Sequence, residues 1–232
     1  MSHQSRRLFR FPIPYSGMRN TAIVLFDEVE VLDFAGPFEV FSVTGRRQQL
    51  EPFNVYTVAE RAAPVLARNG LSVNPRSTFS DAPKPDILVI PGGFGTRREM
   101  RNPVMLEWIA RTAKESELAL TVCTGALILG ATGLLDGLAA TTHWAAFEEL
   151  RAVAPKAELR PGERIVDNGR IVLSAGVSAG IDMSLHVVAR LLGAEMARET
   201  ARYMEYEGRW EGHPIQSALP AVPKNGDRQF SG

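Results

Sequence analysis

The sequence predicts an α/β protein whose mainly parallel sheet is covered by helices on both faces. Two observations predict it. Short apolar runs alternate along the chain with longer stretches of helical periodicity, the order that βαβ units produce. The chain is also long enough for one large core: at 232 residues, 45% hydrophobic and 22% charged, it can bury about 70 to 75% of its unfolded surface.

In chain order, the run TAIVLF at 21–26 predicts a first strand, followed by a helix near 37–45 entered at Gly36-Pro37. FNVYTV at 53–58 is a second strand, and DILVI at 86–90 a third that precedes a helix near 103–115. LALTV at 118–122 is a further strand, and it gives way to a helix-like run over 124–135. Residues 164–174 form a hairpin through the Asn168-Gly169 turn. An amphipathic helix over 178–193 has Ser178 as its cap and Gly193 as its stop. Residues 1–19 and about 208–232 are rich in Pro, Gly, Ser, Arg and Asn without hydrophobic periodicity. They read as an N-terminal arm and a C-terminal tail, mobile or docked on another surface, around a body of 20–207.

Composition excludes several classes of function. Lys plus Arg equals Asp plus Glu at 26 each, so no net field draws the chain to nucleic acid or to an anionic membrane. A small-molecule partner is expected instead. A single cysteine forms no internal disulfide and no cysteine-based zinc site, and the four histidines lack ligand spacing, so no metal is expected. Glycines form neither a dinucleotide fingerprint nor a phosphate loop. The segment at 5–10, SRRLFR, is similar to a twin-arginine signal, but Pro12, Pro14, Ser16, Arg19 and Asn20 break up the apolar stretch that such a signal needs after its arginines. With no apolar run near the roughly 20 residues of a membrane helix, a cytoplasmic location is expected.

Ligands in parallel α/β folds bind beyond the carboxyl ends of the strands, so the residues just after each strand carry the functional information. Cys123 stands at the junction of the 118–122 strand and its helix. A side chain on such a turn projects from the sheet edge, and the first free N–H groups of the helix face it, which favours thiolate over thiol. The competing reading is a small buried hydrophobe. Gly125 favours the first, because a cramped elbow needs glycine where strand and helix approach closely.

Two other strand ends carry chemistry. Asp33 lies between Leu32 and Phe34 after the first strand, where apolar neighbours raise a carboxyl pKa and fit it for proton transfer, or where it caps the next turn. The sequence PGGFGT at 91–96 places Gly92 and Gly93 so that their N–H groups can face an anion, or forms an ordinary tight loop. Thr124 offers an N–H to the same anion site, and its hydroxyl has two candidate partners, the sulfur and the helix end. His143, beside Trp144, is a candidate partner for the thiol, with a packed, hydrogen-bonded role as the competing reading. His186 and Asp182, on the 178–193 helix, read as structural.

Together the stretches LFDEVEVLDFAGPFEV (25–40), IPGGFGT (90–96), VCTGALILGATGLLDG (122–137), ATTHW (140–144) and SAGID (178–182) resemble the ThiJ/PfpI superfamily, whose fold is a flavodoxin-like three-layer sandwich with a cysteine nucleophile elbow. The resemblance is to the isonitrile hydratase branch and to the ligand domains of AraC-type regulators. It implies Cys123 as nucleophile, Asp33 as the acidic residue touching it, and Thr124 as the residue after the nucleophile in that branch. It further implies Gly92 and Gly93 as backbone donors, His143 near the pocket, and a homodimer.

The activity implied is addition of water to an isonitrile, giving an N-substituted formamide through a Cys123 thioimidate with Asp33 as general acid and base. No metal and no organic cofactor is required. Thr124 stands where PfpI-type proteases carry histidine, which argues against proteolysis, and the short stretch after Tyr206 argues against an appended DNA-binding domain. Two alternatives remain: a glyoxalase-like enzyme on small aldehydes, against which Asp33 in place of Glu argues, and a ligand- or redox-sensing domain using Cys123 without turnover.

Overall fold

The computed structural model describes residues 17–213; the segment at 5–10 and most of the C-terminal tail lie outside the described residues. Seven strands form the central sheet: β1 Arg19–Val24, β2 Phe53–Ala59, β3 Ser77–Thr78, β4 Ile87–Ile90, β5 Leu118–Val122, β6 Ile165–Asp167 and β7 Ile171–Ser174. Their spatial order is β6-β7-β5-β4-β1-β2-β3. Every pairing is parallel except that of β6 with β7, the hairpin at one edge. All residues of β4 and β5 are buried, as continuous apolar strands covered on both faces must be.

Among the described residues, six helices of seven residues or more cover the sheet: α1 Val31–Val43, α2 Pro103–Glu115, α3 Gly125–Ala131, α4 Phe147–Val153, α5 Ala179–Leu192 and α6 Ala194–Tyr203. Helices α1, α5 and α6 pack together, and α3 packs with α2 and α4. This is the α/β three-layer arrangement that the sequence predicts. Asn102 caps α2 by accepting from the N–H groups of Val104 and Met105, with Pro103 at its first position, where the missing N–H costs nothing.

Two helices depart from expectation. α1 begins at Val31, six residues before the expected Gly36-Pro37 entry, and so holds Pro37 in its interior. A mid-helix proline costs about 3 kcal/mol and deprives the carbonyl four residues back of its donor. Burial of Phe34, Val40 and Phe41 on the same helix outweighs that cost. α3 is shorter than the run 124–135 suggests, because Gly133 turns to φ 77° two residues beyond its end. Helix α5 lies where expected and stops at Gly193, but Ser178 makes no capping hydrogen bond with its side chain.

Candidate active site

Four strand ends converge, one more than the sequence singled out: those of β1, β4, β5 and β7. Cys123 follows β5 with φ 58°, in the left-handed region that costs a non-glycine residue about 1 to 3 kcal/mol. Its neighbours hold it there. Its N–H lies 3.2 Å from both the Ser174 and Ala175 carbonyls at the end of β7, and Thr142 Oγ1 donates to its carbonyl at 2.9 Å. Gly125 is the elbow residue anticipated, since a Cβ there would sit 2.1 Å from the Ile90 carbonyl oxygen.

Asp33 lies in the first turn of α1 and is fully buried. The loop leading to it is stitched to the glycine loop after β4: the Glu30 N–H donates to the Gly92 carbonyl at 2.9 Å, and Val29 bridges Gly93. Asp33 Oδ2 accepts from the Gly92 N–H at 3.0 Å. The other oxygen, Oδ1, is equally buried and makes no well-formed hydrogen bond. Burial drives the Asp33 carboxyl up from 3.8 to about 7; Gly92, the Cys123 thiol and the Val177 N–H pull against this, and Glu30 adds to it.

Burial and the adjacent Asp33 carboxylate push the Cys123 thiol up to about 12, against the N–H groups of Thr124 and Val177. The expectation of a resting thiolate is thereby corrected. Two backbone dipoles do not offset the loss of water and a neighbouring negative charge. Cys123 rests as a thiol beside a carboxyl that titrates near neutrality.

The glycines and Thr124 also differ from expectation. Gly92 spends its N–H on Asp33, and Gly93 donates to Thr124 Oγ1 at 3.0 Å, so neither is a free anion donor. The Thr124 hydroxyl donates back to the Gly93 carbonyl at 3.1 Å and neither bonds the sulfur nor caps α3. These residues set the position of Asp33 and of the elbow. Gly92 cannot carry a side chain in this role: a Cβ would lie 2.6 Å from the Thr124 nitrogen and 2.8 Å from Asp33 Oδ2. The donors left for the sulfur are the N–H groups of Thr124 and Val177.

Val177, which sequence reasoning did not select, has φ 51°, a genuine outlier for a β-branched residue. Its signal was its place just after β7, the same rule that selected Cys123. His143 stands at the rim. Its Nδ1 accepts from the Ala145 N–H at 3.3 Å and its ring packs on Gly176, without a hydrogen bond to Cys123 or Asp33. His186 and Asp182 are structural as expected. His186 Nε2 lies 2.7 Å from Asp167 at the end of β6, and Asp182 pairs with Arg164. A cleft of about 1260 Å3 opens beside Phe94 and Arg98 and does not include Cys123 in its lining.

The raised Asp33 pKa has a consequence for stability. Between pH 3.8 and about 7 the folded protein retains a proton that the unfolded chain has released, so stability falls as pH rises through that window. The penalty is absent below it and complete above it, at most about 4 kcal/mol. Asp33→Asn is expected to be more stable than wild type at pH 8, with the difference shrinking toward pH 4. Denaturant midpoints at both pH values check this, and a pH-independent difference contradicts it.

A family model described as the DJ-1/PfpI family matches residues 19–190. An isonitrile hydratase of Pseudomonas putida is 34% identical over 183 residues, 79% of this chain and 76% of that protein. The HTH-type transcriptional regulator CdhR of Pseudomonas aeruginosa is 30% identical over 168 residues, 68% of this chain but 49% of the regulator, so this chain spans about half of it. Among solved structures, a ThiJ/PfpI family protein from Pseudomonas syringae superposes with a TM-score of 0.76 at 30% identity, covering 92% of this chain and 81% of that one.

Proposed function

Because this chain belongs to the DJ-1/PfpI family, we propose that its buried Cys123–Asp33 pair hydrates organic isonitriles to N-substituted formamides. The observation that carries this reading is the arrangement of the pair: a buried thiol whose ionising neighbour is a buried carboxyl with a pKa near 7, one oxygen of which makes no well-formed hydrogen bond. Such a carboxyl can take the thiol proton and give it to a neighbouring atom. An isonitrile needs that sequence, since its terminal carbon is attacked by a nucleophile and then protonated.

In the proposed cycle the Cys123 S–H proton passes to Asp33 as sulfur adds to the terminal carbon of R–N≡C, and Asp33 returns it to that carbon. The result is the thioimidate Cys–S–CH=N–R. Water then adds to the same carbon with Asp33 as base, and the nitrogen gains a proton. Collapse to the carbonyl breaks the C–S bond, restores the thiol and releases R–NH–CHO. The sum is one isonitrile and one water to one formamide. The N–H groups of Thr124 and Val177 favour negative charge on sulfur as it develops.

The test is incubation with a varied panel of alkyl and aryl isonitriles, with formamide followed by mass spectrometry. No turnover above that of Cys123→Ala across the panel would reject the reading. A sensing domain is the second reading, favoured by the similarity to CdhR. It predicts a single stoichiometric modification of Cys123 where the first predicts repeated turnover. A homodimer is part of the proposal and is checked by sedimentation. No helix among the described residues is long and apolar enough to cross a membrane.

A further inference from the structure

The strained backbone at Val177 is pinned on both sides by one residue. The Arg164 carbonyl accepts from the Ala175 N–H at 2.9 Å, and its guanidinium donates to Ser178 Oγ at 3.2 Å. The same guanidinium donates through Nε to Asp182 Oδ2 at 2.5 Å, and Asp182 is fully buried. The other Asp182 oxygen is held by the chain beyond α6. Oδ1 accepts from the Tyr206 hydroxyl at 3.1 Å and from the Arg209 N–H at 2.8 Å. Trp210 then anchors this strap with 7% exposure, and Gly208 permits its approach, since a Cβ there would lie 2.2 Å from Asp182 Oδ1.

We propose that Arg164, Asp182 and the strap over residues 206–210 form a positioning unit that holds the Val177 N–H against the Cys123–Asp33 pair. The strap lies outside the family match, which ends at residue 190, so this device depends on residues beyond the matched segment. The Gly180 N–H also donates to the Val177 carbonyl at 3.2 Å; without the clamp this turn loses its support on the outer side, and a β-branched residue in a left-handed conformation relaxes so that its N–H shifts from the pair. The inference rests on Cys123 as the reactive group, and not on which electrophile it attacks. Other charged or titratable groups about the pair are Glu30, before α1, and His143, beyond Gly176. Substitutions at Arg164, Ser178 and Gly208 leave both in place.

The test reads thiol reactivity rather than turnover: the rate of Cys123 alkylation by iodoacetamide against pH, in the full chain. Losing the Val177 N–H disfavours thiolate and carboxylate alike. Arg164→Gln and Gly208→Ala are therefore expected to slow alkylation at pH 8 by about tenfold, equivalent to about one pK unit. They are also expected to move the limb near pH 7 to higher pH. Ser178→Ala, an exposed change that removes one acceptor of the guanidinium, is expected to slow alkylation about twofold, and Arg164→Lys to recover part of the Arg164→Gln loss. If Arg164→Gln does not fold, Ser178→Ala and Gly208→Ala decide. Wild-type profiles in the folded variants overturn the proposal. Absence of formamide in wild type would reject the hydratase reading and leave these alkylation results to stand alone.

Discussion

Replacing Cys123 with alanine is expected to lower formamide formation from a simple alkyl isonitrile by roughly 10³-fold or more, because no other nucleophile remains at the site. Asp33→Asn keeps the shape and the Gly92 hydrogen bond but cannot take the thiol proton. A loss of about 10² to 10⁴-fold is expected, the range of a positioned acid or base. The two variants differ in their pH behaviour. In the proposed cycle attack requires Asp33 as carboxylate, so wild-type kcat/KM should rise as pH passes about 7, and Asp33→Asn should lack that limb. Steady-state rates from pH 5 to 9, with formamide quantified by mass spectrometry, check both. A residual rate in Cys123→Ala within tenfold of wild type would mean that sulfur does not form the first bond.

The largest stability effect is expected at the elbow. Gly125→Ala places a Cβ 2.1 Å from the Ile90 carbonyl oxygen and 2.9 Å from the Pro91 oxygen, all of it backbone at the end of a central strand. No rotamer relieves such a clash. Either β4 shifts against β5 or the elbow opens. A cost above about 3 kcal/mol is expected, lowering the melting temperature by roughly 10 °C in a chain of this size. Thermal unfolding by circular dichroism measures it, and a shift of less than about 2 °C would show that the elbow has more room than its geometry implies. Alkylation of Cys123 should accelerate in the same variant, because an opened elbow admits water and removes part of the burial that holds the thiol near 12.

Much of the frame was legible. Continuous apolar runs marked the buried parallel strands, Asn168-Gly169 marked the hairpin, and Cys123 with Gly125 marked the elbow. Asp33 was legible as a residue, but its helix was not: Pro37 reads as a helix start, and only the packing of Phe34 and Phe41 shows why the helix begins earlier. The glycine loop was found with the wrong use for its N–H groups, since their acceptors, Asp33 and Thr124, come from other parts of the chain. Val177 escaped because nothing in a valine's identity announces a positive φ.

The sequence by itself determined the order of the main strands and helices, the family, and which residues stand at the strand ends, while β3, α4 and α6 carried too short or too polar a pattern to be read from it. The legible features depend on periodicity and spacing among chain neighbours. Tertiary structure decided the protonation state of the site, the partners of each N–H, and the clamp from Arg164 through Asp182 to the strap. Those depend on how much water is excluded and on which dipole faces which charge. Asp33 and Gly92, 59 residues apart, meet only when β1 and β4 pair and the Cys123 elbow closes beside them. Desolvation by that packing, more than any feature of the elbow's own sequence, holds Cys123 as a thiol beside Asp33.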